Sequence, residues 1–428
     1  MLKTKILKTK SLKNIIATSV SLSIFVLSAN AFAQSVSVSS SSLSVSSSNG
    51  TAITSISNRS NGSNSAAKSI FERDRGGAVY VMANQPEGNE ILVFRRNTQG
   101  ELTFFRSLTT ATQGLGGGNN APADPLGSQG SLTFDLQSNA LIAVNAGDDS
   151  ISVIDVGRTG LKLNVTHKVS SGGNIPVSTA VSEGMVYVLN AGGEGIVTTF
   201  ELEDGKLLER SRMSLGLSNS ETIPFNNVFA PGQVGVDALN RHLMVVNASG
   251  QEMLTVDLDE NGVPVGSFTS TTTPGVVPFA FATTRFGATL VAEAGSGAVT
   301  SFDFPQLDNS LSPISSLVST GQAAACWVVL HDNGFAYVSN TASNTISSFT
   351  VDRVGQVALL ESVAGETEAS PTDMAFANDQ GFLYSVDAIA GVISAFKVNE
   401  QTGELSLVEQ EAGLPAALGI QGIASFDR

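Results

Sequence analysis

LIAVNAGDDSISVIDV, residues 141 to 156, consists of two apolar runs joined by a turn of small residues, Asn145, Ala146 and Gly147. The chain contains seven versions of it. VYVMANQPEGNEILVF begins at Val79, MVYVLNAGGEGIVTTF at Met185, HLMVVNASGQEMLTVD at His242, TLVAEAGSGAVTSFDF at Thr289, FAYVSNTASNTISSFT at Phe335 and FLYSVDAIAGVISAFK at Phe382. The turn residues are Asn84, Asn145, Asn190, Asn247, Glu293, Asn340 and Asp387, spaced 61, 45, 57, 46, 47 and 47 residues apart. A period in the forties with two β-rich runs per unit is the signature of a propeller blade, a sheet that must stack on its neighbours to bury its faces. The repeat therefore predicts an all-β fold: a seven-bladed β-propeller of four-stranded antiparallel blades.

Each unit reads as four strands, most plainly in the second: Ser131 to Phe134, Leu141 to Asn145, Ser150 to Asp155 and Leu161 to Thr166. Small apolar first strands recur at Pro176, Gly232, Pro278, Cys326, Pro371 and Gln421, as expected around a crowded central axis. The last of these has no blade after it, whereas the unit at Val79 lacks a first strand. Pairing the C-terminal strand with the N-terminal blade resolves both defects and removes the open edges that a sheet would otherwise present. The two long spacings hold Leu108 to Gly130 and Met213 to Gln233, insertions between the last strand of one blade and the first of the next. Long loops in that place shape a binding mouth.

Outside the blades, Lys3, Lys5, Lys8, Lys10 and Lys13 precede an apolar run from Ile15 to Ala29, and Ala31-Phe32-Ala33 provides a small-x-small cleavage pattern. Residues 1–33 are thus expected to be a signal peptide, and the product an exported (periplasmic or secreted) protein. Residues 34–70, rich in Ser, Asn and Gly, are expected to be a disordered leader or stalk, and residues 71–428 the propeller. Loss of the five lysines would take the formal charge from −15 to −20, which disfavours nucleic acid and anionic membranes as partners. No later segment offers about 18 uninterrupted apolar residues, so no membrane insertion is expected. Cys326 is the single cysteine, so the chain forms no internal disulfide, and a monomer held together by packing and ring closure is expected.

Few motifs carry chemistry. GLGGGNN from Gly114 lacks the Gly-Lys-Ser/Thr of a phosphate loop. DLDENG, 257 to 262, begins like a calcium loop but has Phe268 at the twelfth position and suits a hairpin turn. His167, His242 and His331 share no metal-ligand spacing, and no nucleophile elbow is present. Cys326, beside Trp327 in an apolar strand, reads as a buried thiol. The repeated Asn is turn chemistry, since its side chain can bond its own turn backbone. Glu293 breaks that set with a longer carboxylate. Aligned first strands place Ser131, Ser178, Gln233, Ala280, Trp327, Asp373 and Gly422 at matching positions near the channel mouth, with Gln129 slightly upstream. Gln129, Ser131, Gln233, Trp327 and Asp373 together suit a polar, hydroxylated ligand.

The strings GSQGSL from Gly127, VNAG from Val144, VYVLNAGGEG from Val186, AACWVV from Ala324, YVSNT from Tyr337 and SPTDMAF from Ser370 resemble the exported seven-bladed propeller lactonases. That family is similar to bacterial 6-phosphogluconolactonases and fungal carboxymuconate cyclases. The resemblance, which covers about residues 76 to 428, implies lactone chemistry in the central channel by a metal-independent hydrolase with no cofactor. It also exposes departures from the family's His, Arg and Glu set. Leu126-Gly127-Ser128-Gln129 stands for a His-containing string, Pro278-Phe279 for Arg-His, Cys326 for a Glu and Thr341 for an Arg. Glu293 alone falls where the family has a Glu, and it is the expected general base, with Trp327 and Gln233 orienting the ring. Without an Arg or Lys clamp, a phosphorylated lactone is disfavoured. Two readings follow: an exported lactonase-family propeller that binds a small lactone or sugar-like ligand and hydrolyses it, or a non-catalytic propeller that binds a glycan or protein.

Overall fold

The computed structural model describes residues 76–116, 123–220, 230–303, 306–377 and 381–427; the expected signal peptide and Ser-rich leader lie outside these residues. The described residues form twenty-eight strands and no helix, arranged as seven four-stranded antiparallel sheets. The second blade runs Leu132–Asp135, Ala140–Asn145, Ser150–Val156 and Leu163–Ser170, within a few residues of the sequence expectation. Five more blades repeat this meander from inner strands that open at Pro176, Pro231, Pro278, Ala325 and Pro371.

Position in the blade explains residue type. Second strands such as Ala140–Asn145 and Phe335–Asn340 are buried along their whole length because neighbouring blades cover both faces, and they read as unbroken apolar runs. Outermost strands alternate between exposed and half-buried residues, as in Leu163–Ser170, because one face meets water. The segment 257–262 is a hairpin turn: Asp259 accepts hydrogen bonds from the Asn261 and Val263 amides at 2.9 and 2.8 Å.

The ring closes as expected. Ile423–Phe426 pairs antiparallel with Ala78–Met82, with Phe426 opposite Ala78 and Ile423 opposite Val81, and supplies the first blade's missing inner strand. Beside this seam the buried guanidinium of Arg96 donates to Asp427 at 2.7 Å.

Further ties run between blades. All four tyrosines of the chain lie on second strands and donate to a turn carbonyl of the next blade: Tyr80 to Gly160, Tyr187 to Gly262, Tyr337 to Gly403 and Tyr384 to Gly100, at 2.6 to 2.9 Å. The receiving glycines are needed twice over. Gly160 has φ +72° and a Cβ there would lie 2.4 Å from the Phe426 ring, so any other residue meets both backbone strain and a clash.

Candidate functional site at the channel mouth

All inner strands begin at one end of the ring, the end that carries the connections between blades. There the inner strands break register, at Val177, Gly232, Phe279, Cys326–Trp327 and Asp373. Such bulges re-aim one side chain out of the pleat. The mouth is thus lined by residues that leave the regular alternation, and Asp373 is the one that adopts a left-handed conformation, φ +62°.

The connection from the first blade to the second does not skirt this mouth; it crosses it. Leu126 and Ser128 are fully buried, and the segment from Asp124 to Gly130 bonds to the third, fourth and sixth blades and to the residues that lead into the closing strand. The Ser128 hydroxyl donates to Val177 O at 2.7 Å, the Gln129 amide to Gly232 O at 3.1 Å, and the Ser178 hydroxyl to Gln129 O at 2.6 Å. The carbonyl of Ser128 accepts from Trp327 Nε1 at 2.9 Å and from Gln421 Nε2 at 2.6 Å. The Gln129 carboxamide gives to Val328 O at 3.0 Å and takes from Val328 N at 3.1 Å. Main-chain polar groups taken from water must be paired, and these side chains do the pairing. We refer to residues 124–130 as the strap.

The strap decides what the expected site residues can do. Gln129 and Trp327 hold it in place, and Gln233 accepts from the Phe281 amide at 2.7 Å in the next blade. Two expected residues keep uncommitted polar atoms. Ser131 Oγ is fully buried without a hydrogen-bond partner, and a Cβ on Gly422 would lie 2.6 Å from it. Asp373 is 3% exposed; its Oδ1 accepts from the Met374 amide at 2.9 Å, while Oδ2 has no partner.

On the strap itself lies a residue that sequence reasoning passed over, Asp124. It is surrounded by protein on the strap, although part of the residue still meets water, and its Oδ1 accepts from the Gly127 amide at 2.8 Å. Burial pushes its carboxyl up to about 7, despite hydrogen bonds that pull the other way from Gly127, Gln421 and Ser128. Asp373 is likewise pushed to about 7 by burial, moderated by the Met374 amide and the nearby Ile423 amide, which is outside hydrogen-bond geometry, and raised further by the charge of Asp124. The Cys326 thiol, near Asp124, is pushed to about 12 by burial, so it is protonated at neutral pH and a poor nucleophile. Pro125 directly after Asp124 is the one feature of the sequence that sets it apart from an ordinary loop carboxylate.

Glu293 sits elsewhere on this end of the ring. It closes the second strand of its blade, opposite Pro278, and is completely buried. In other blades the equivalent residue ties to a hydroxyl seven positions on: Asn145 to Ser152, Asn340 to Ser347 and Asp387 to Ser394. Thr300 occupies that position for Glu293. Its carboxylate packs against Gly275, where a Cβ would come within 2.6 Å, yet neither oxygen is in hydrogen-bond geometry with a partner. Burial pushes it up to about 7, and the nearby Thr300, Gly275 and Thr273 groups only moderate the rise. Among the described residues, no three His, Cys, Asp or Glu side chains gather as a metal site. Two surface hollows, about 460 and 350 Å³, lie at the other end of the ring among hairpin turns, one with Arg285 and Arg353, the other with Glu183 and Asp259.

The family model for "Lactonase, 7-bladed beta-propeller" matches residues 121–421. No curated protein matches the chain significantly. Solved structures of similar fold include a candidate 6-phosphogluconolactonase from Bacteroides fragilis, with 16% identity and a TM-score of 0.64 over 83% of this chain and 99% of that one. A periplasmic gluconolactonase from Pseudomonas aeruginosa has 17% identity and a TM-score of 0.62 over 81% of this chain and 99% of its own. A Lactobacillus plantarum protein has 18% identity and a TM-score of 0.65 over 82% and 99%. At such identities these neighbours speak to the fold alone.

Proposed function

Because the chain belongs to the seven-bladed β-propeller lactonase family, we propose that it is a hydrolase that opens a small, uncharged lactone at the strapped end of its channel. The observation that carries this reading is Asp373: a buried carboxyl in a left-handed conformation, with one oxygen unpartnered and its pKa pushed up to about 7. Strained, desolvated acids persist where the fold holds them in place, and a carboxylate poised near neutrality suits general-base chemistry.

Lactone opening requires a water stripped of a proton and support for the negative charge that develops on the carbonyl oxygen. Asp373 would take the proton. The charge would fall to hydroxyl or amide donors at the mouth, and the buried Ser131 hydroxyl is one that has no partner in the fold. The strap's side-chain partners are amides, hydroxyls and an indole, with no Lys or Arg among them, so a neutral lactone fits better than a phosphorylated one. Export, from the Lys-rich and apolar start of the chain, and action as a monomer are part of the same proposal.

Acid release from a panel of neutral lactones, measured for the wild type, Asp373→Asn and Glu293→Gln, tests this. The expected result is turnover that Asp373→Asn lowers by about 10²-fold or more. A loss confined to Glu293→Gln would move the base to that buried carboxylate. No release from any lactone would leave the reading that the filled mouth favours, a non-catalytic propeller that binds a glycan or protein.

A further inference from the structure

We propose that the hollow between the fifth and sixth blades, at the end of the ring away from the strap, is a binding site for a hydroxylated carboxylate of the uronate type. The site is separate from the mouth and holds whether or not the mouth opens lactones. Its volume is about 460 Å³, within the range of small-molecule sites. Two cations line it from successive blades: Arg285, in the turn between the first two strands of the fifth blade, and Arg353, in the outer hairpin turn of the sixth. Their guanidinium carbons lie 4.9 and 5.6 Å from the centre of one ring, that of the half-exposed Phe286. Arg96, Lys168, Arg210 and Arg212 each meet a carboxylate, but among the described residues neither the Arg285 nor the Arg353 guanidinium has an ion pair or a hydrogen bond. Two like charges gathered on one ring repel each other, and a negative group beside them relieves that.

The turns that carry the two arginines are fixed. The Thr284 carbonyl accepts from the Gly287 amide at 2.9 Å, and its hydroxyl accepts from the Ala288 amide at 3.1 Å. In the other turn, Asp352 Oδ1 accepts from the Val354 and Gln356 amides at 3.0 and 2.8 Å. The second turn is also seated on the fifth blade. There the Ser301 hydroxyl donates to Gly355 O at 2.7 Å, and the Ala288 Cβ is 2.6 Å from where a Cβ on Gly355 would be. A ligand therefore has only side-chain rotamers to order at this site, which limits the entropy lost on binding.

The other lining groups choose among anions. A guanidinium presents its N–H donors in a planar fork that matches a carboxylate and a phosphate alike. The hollow also holds acceptors. The exposed Asp332 carboxylate has no partner among the described residues, and Asn333 donates through Nδ2 to Glu400 O at 3.2 Å, which leaves its Oδ1 to accept. Such acceptors call for hydroxyl donors, which a phosphate dianion lacks, and the carboxylates of Asp332 and Asp352 weigh against a doubly charged group. A uronate meets both demands: one planar carboxylate for Arg285 and Arg353, and several hydroxyls for Asp332 and Asn333.

Isothermal titration calorimetry at low ionic strength tests the site, using wild type, Arg285→Gln, Arg353→Gln and the double variant. The probes are glucuronate, a galacturonate trimer, glucitol, acetate and phosphate. Glucuronate is expected to bind at least about tenfold more tightly than glucitol, acetate or phosphate, each single variant to weaken it about tenfold, and the double variant to abolish it. A trimer that binds more tightly than the monomer would identify the source as an acidic glycan; a trimer no tighter would identify it as the free sugar acid. Three results would overturn the proposal: no uronate binding at tens of millimolar, phosphate binding as tight as that of glucuronate, or uronate binding that survives in the double variant. Thermal melts check folding, and the ranking of the five probes on wild type decides alone should the variants fail to fold.

Discussion

The side-chain amide of Gln129 closes on the main chain of Val328, donating at 3.0 Å and accepting at 3.1 Å, so that a residue before the second blade's inner strand is bound like a strand neighbour to the sixth blade. Gln129→Ala should leave the Val328 amide and carbonyl without these partners and destabilise the protein by about 2–4 kcal/mol. Urea unfolding measures this. A change below about 0.5 kcal/mol would mean that water takes over both bonds. Gln129→Glu keeps the acceptor but loses the donor and, once ionised, sets a carboxylate oxygen where Gln129 now donates to Val328 O, so its deficit should grow from pH 5 to pH 8.

Ring closure depends on four residue pairs and one ion pair at the termini. Deleting residues 419–428 would strip the inner strand from the first blade, expose the edge of Ala78–Met82 and leave the buried Arg96 side chain without Asp427. A chain that no longer unfolds cooperatively is expected by calorimetry. The milder Asp427→Asn should lower stability by about 1–3 kcal/mol, a range discounted because Asp427 is partly exposed.

The tyrosine ties act at separate blade junctions. Tyr337→Phe and Tyr384→Phe should each cost about 1 kcal/mol and add in the double variant, since they donate to different turns. Gly160→Ala meets the Phe426 ring as well as an unfavourable backbone, and should cost more than either. Equilibrium unfolding of the four variants ranks them.

Stability should also carry the mark of the raised carboxyls. Asp124, Asp373 and Glu293 titrate near 7 and Asp387 near 6 in the folded chain, all pushed up by burial, against roughly 4 when unfolded. Folded-state pKa values above the unfolded ones mean that their contribution is fully present below about pH 4 and is lost as pH rises to about 7. Asp373→Asn removes one titration, so its urea midpoint should fall less than the wild type's between pH 5 and pH 8. Parallel slopes for the two proteins would show that Asp373 holds no such proton.

The ring could be read from the sequence because its cause is periodic. Each blade must bury two faces, so apolar runs return at a fixed interval, and the orphan first strand at Gln421 pointed to closure. The mouth is not periodic. Gln129, Gln233 and Trp327 were legible as polar residues at the right height, but not as partners of backbone atoms as much as 199 positions away. Asp124 carried little more than Pro125 to set it apart, for the same reason: its neighbours come from blades six and seven and the closing strand. Glu293 shows the opposite limit. It departs from the repeated Asn, yet the carboxylate lies in the slot that the Asn and Asp side chains of other blades occupy. Whether it also acts on a ligand is what Glu293→Gln measures.

The closing seam places Gly77 against Phe426, with the carbonyl of Phe426 2.1 Å from where a Cβ on Gly77 would be. The two ends of the described ring therefore meet within one sheet, and the order of blades around the axis does not depend on where translation starts. A circular permutant, with residues 76 and 427 joined by a short linker and new ends opened in the connection between the third and fourth blades, should rebuild the same ring. In it the inner strand that now arrives last would be continuous with its own blade, turning a seam held by hydrogen bonds and one ion pair into an ordinary hairpin.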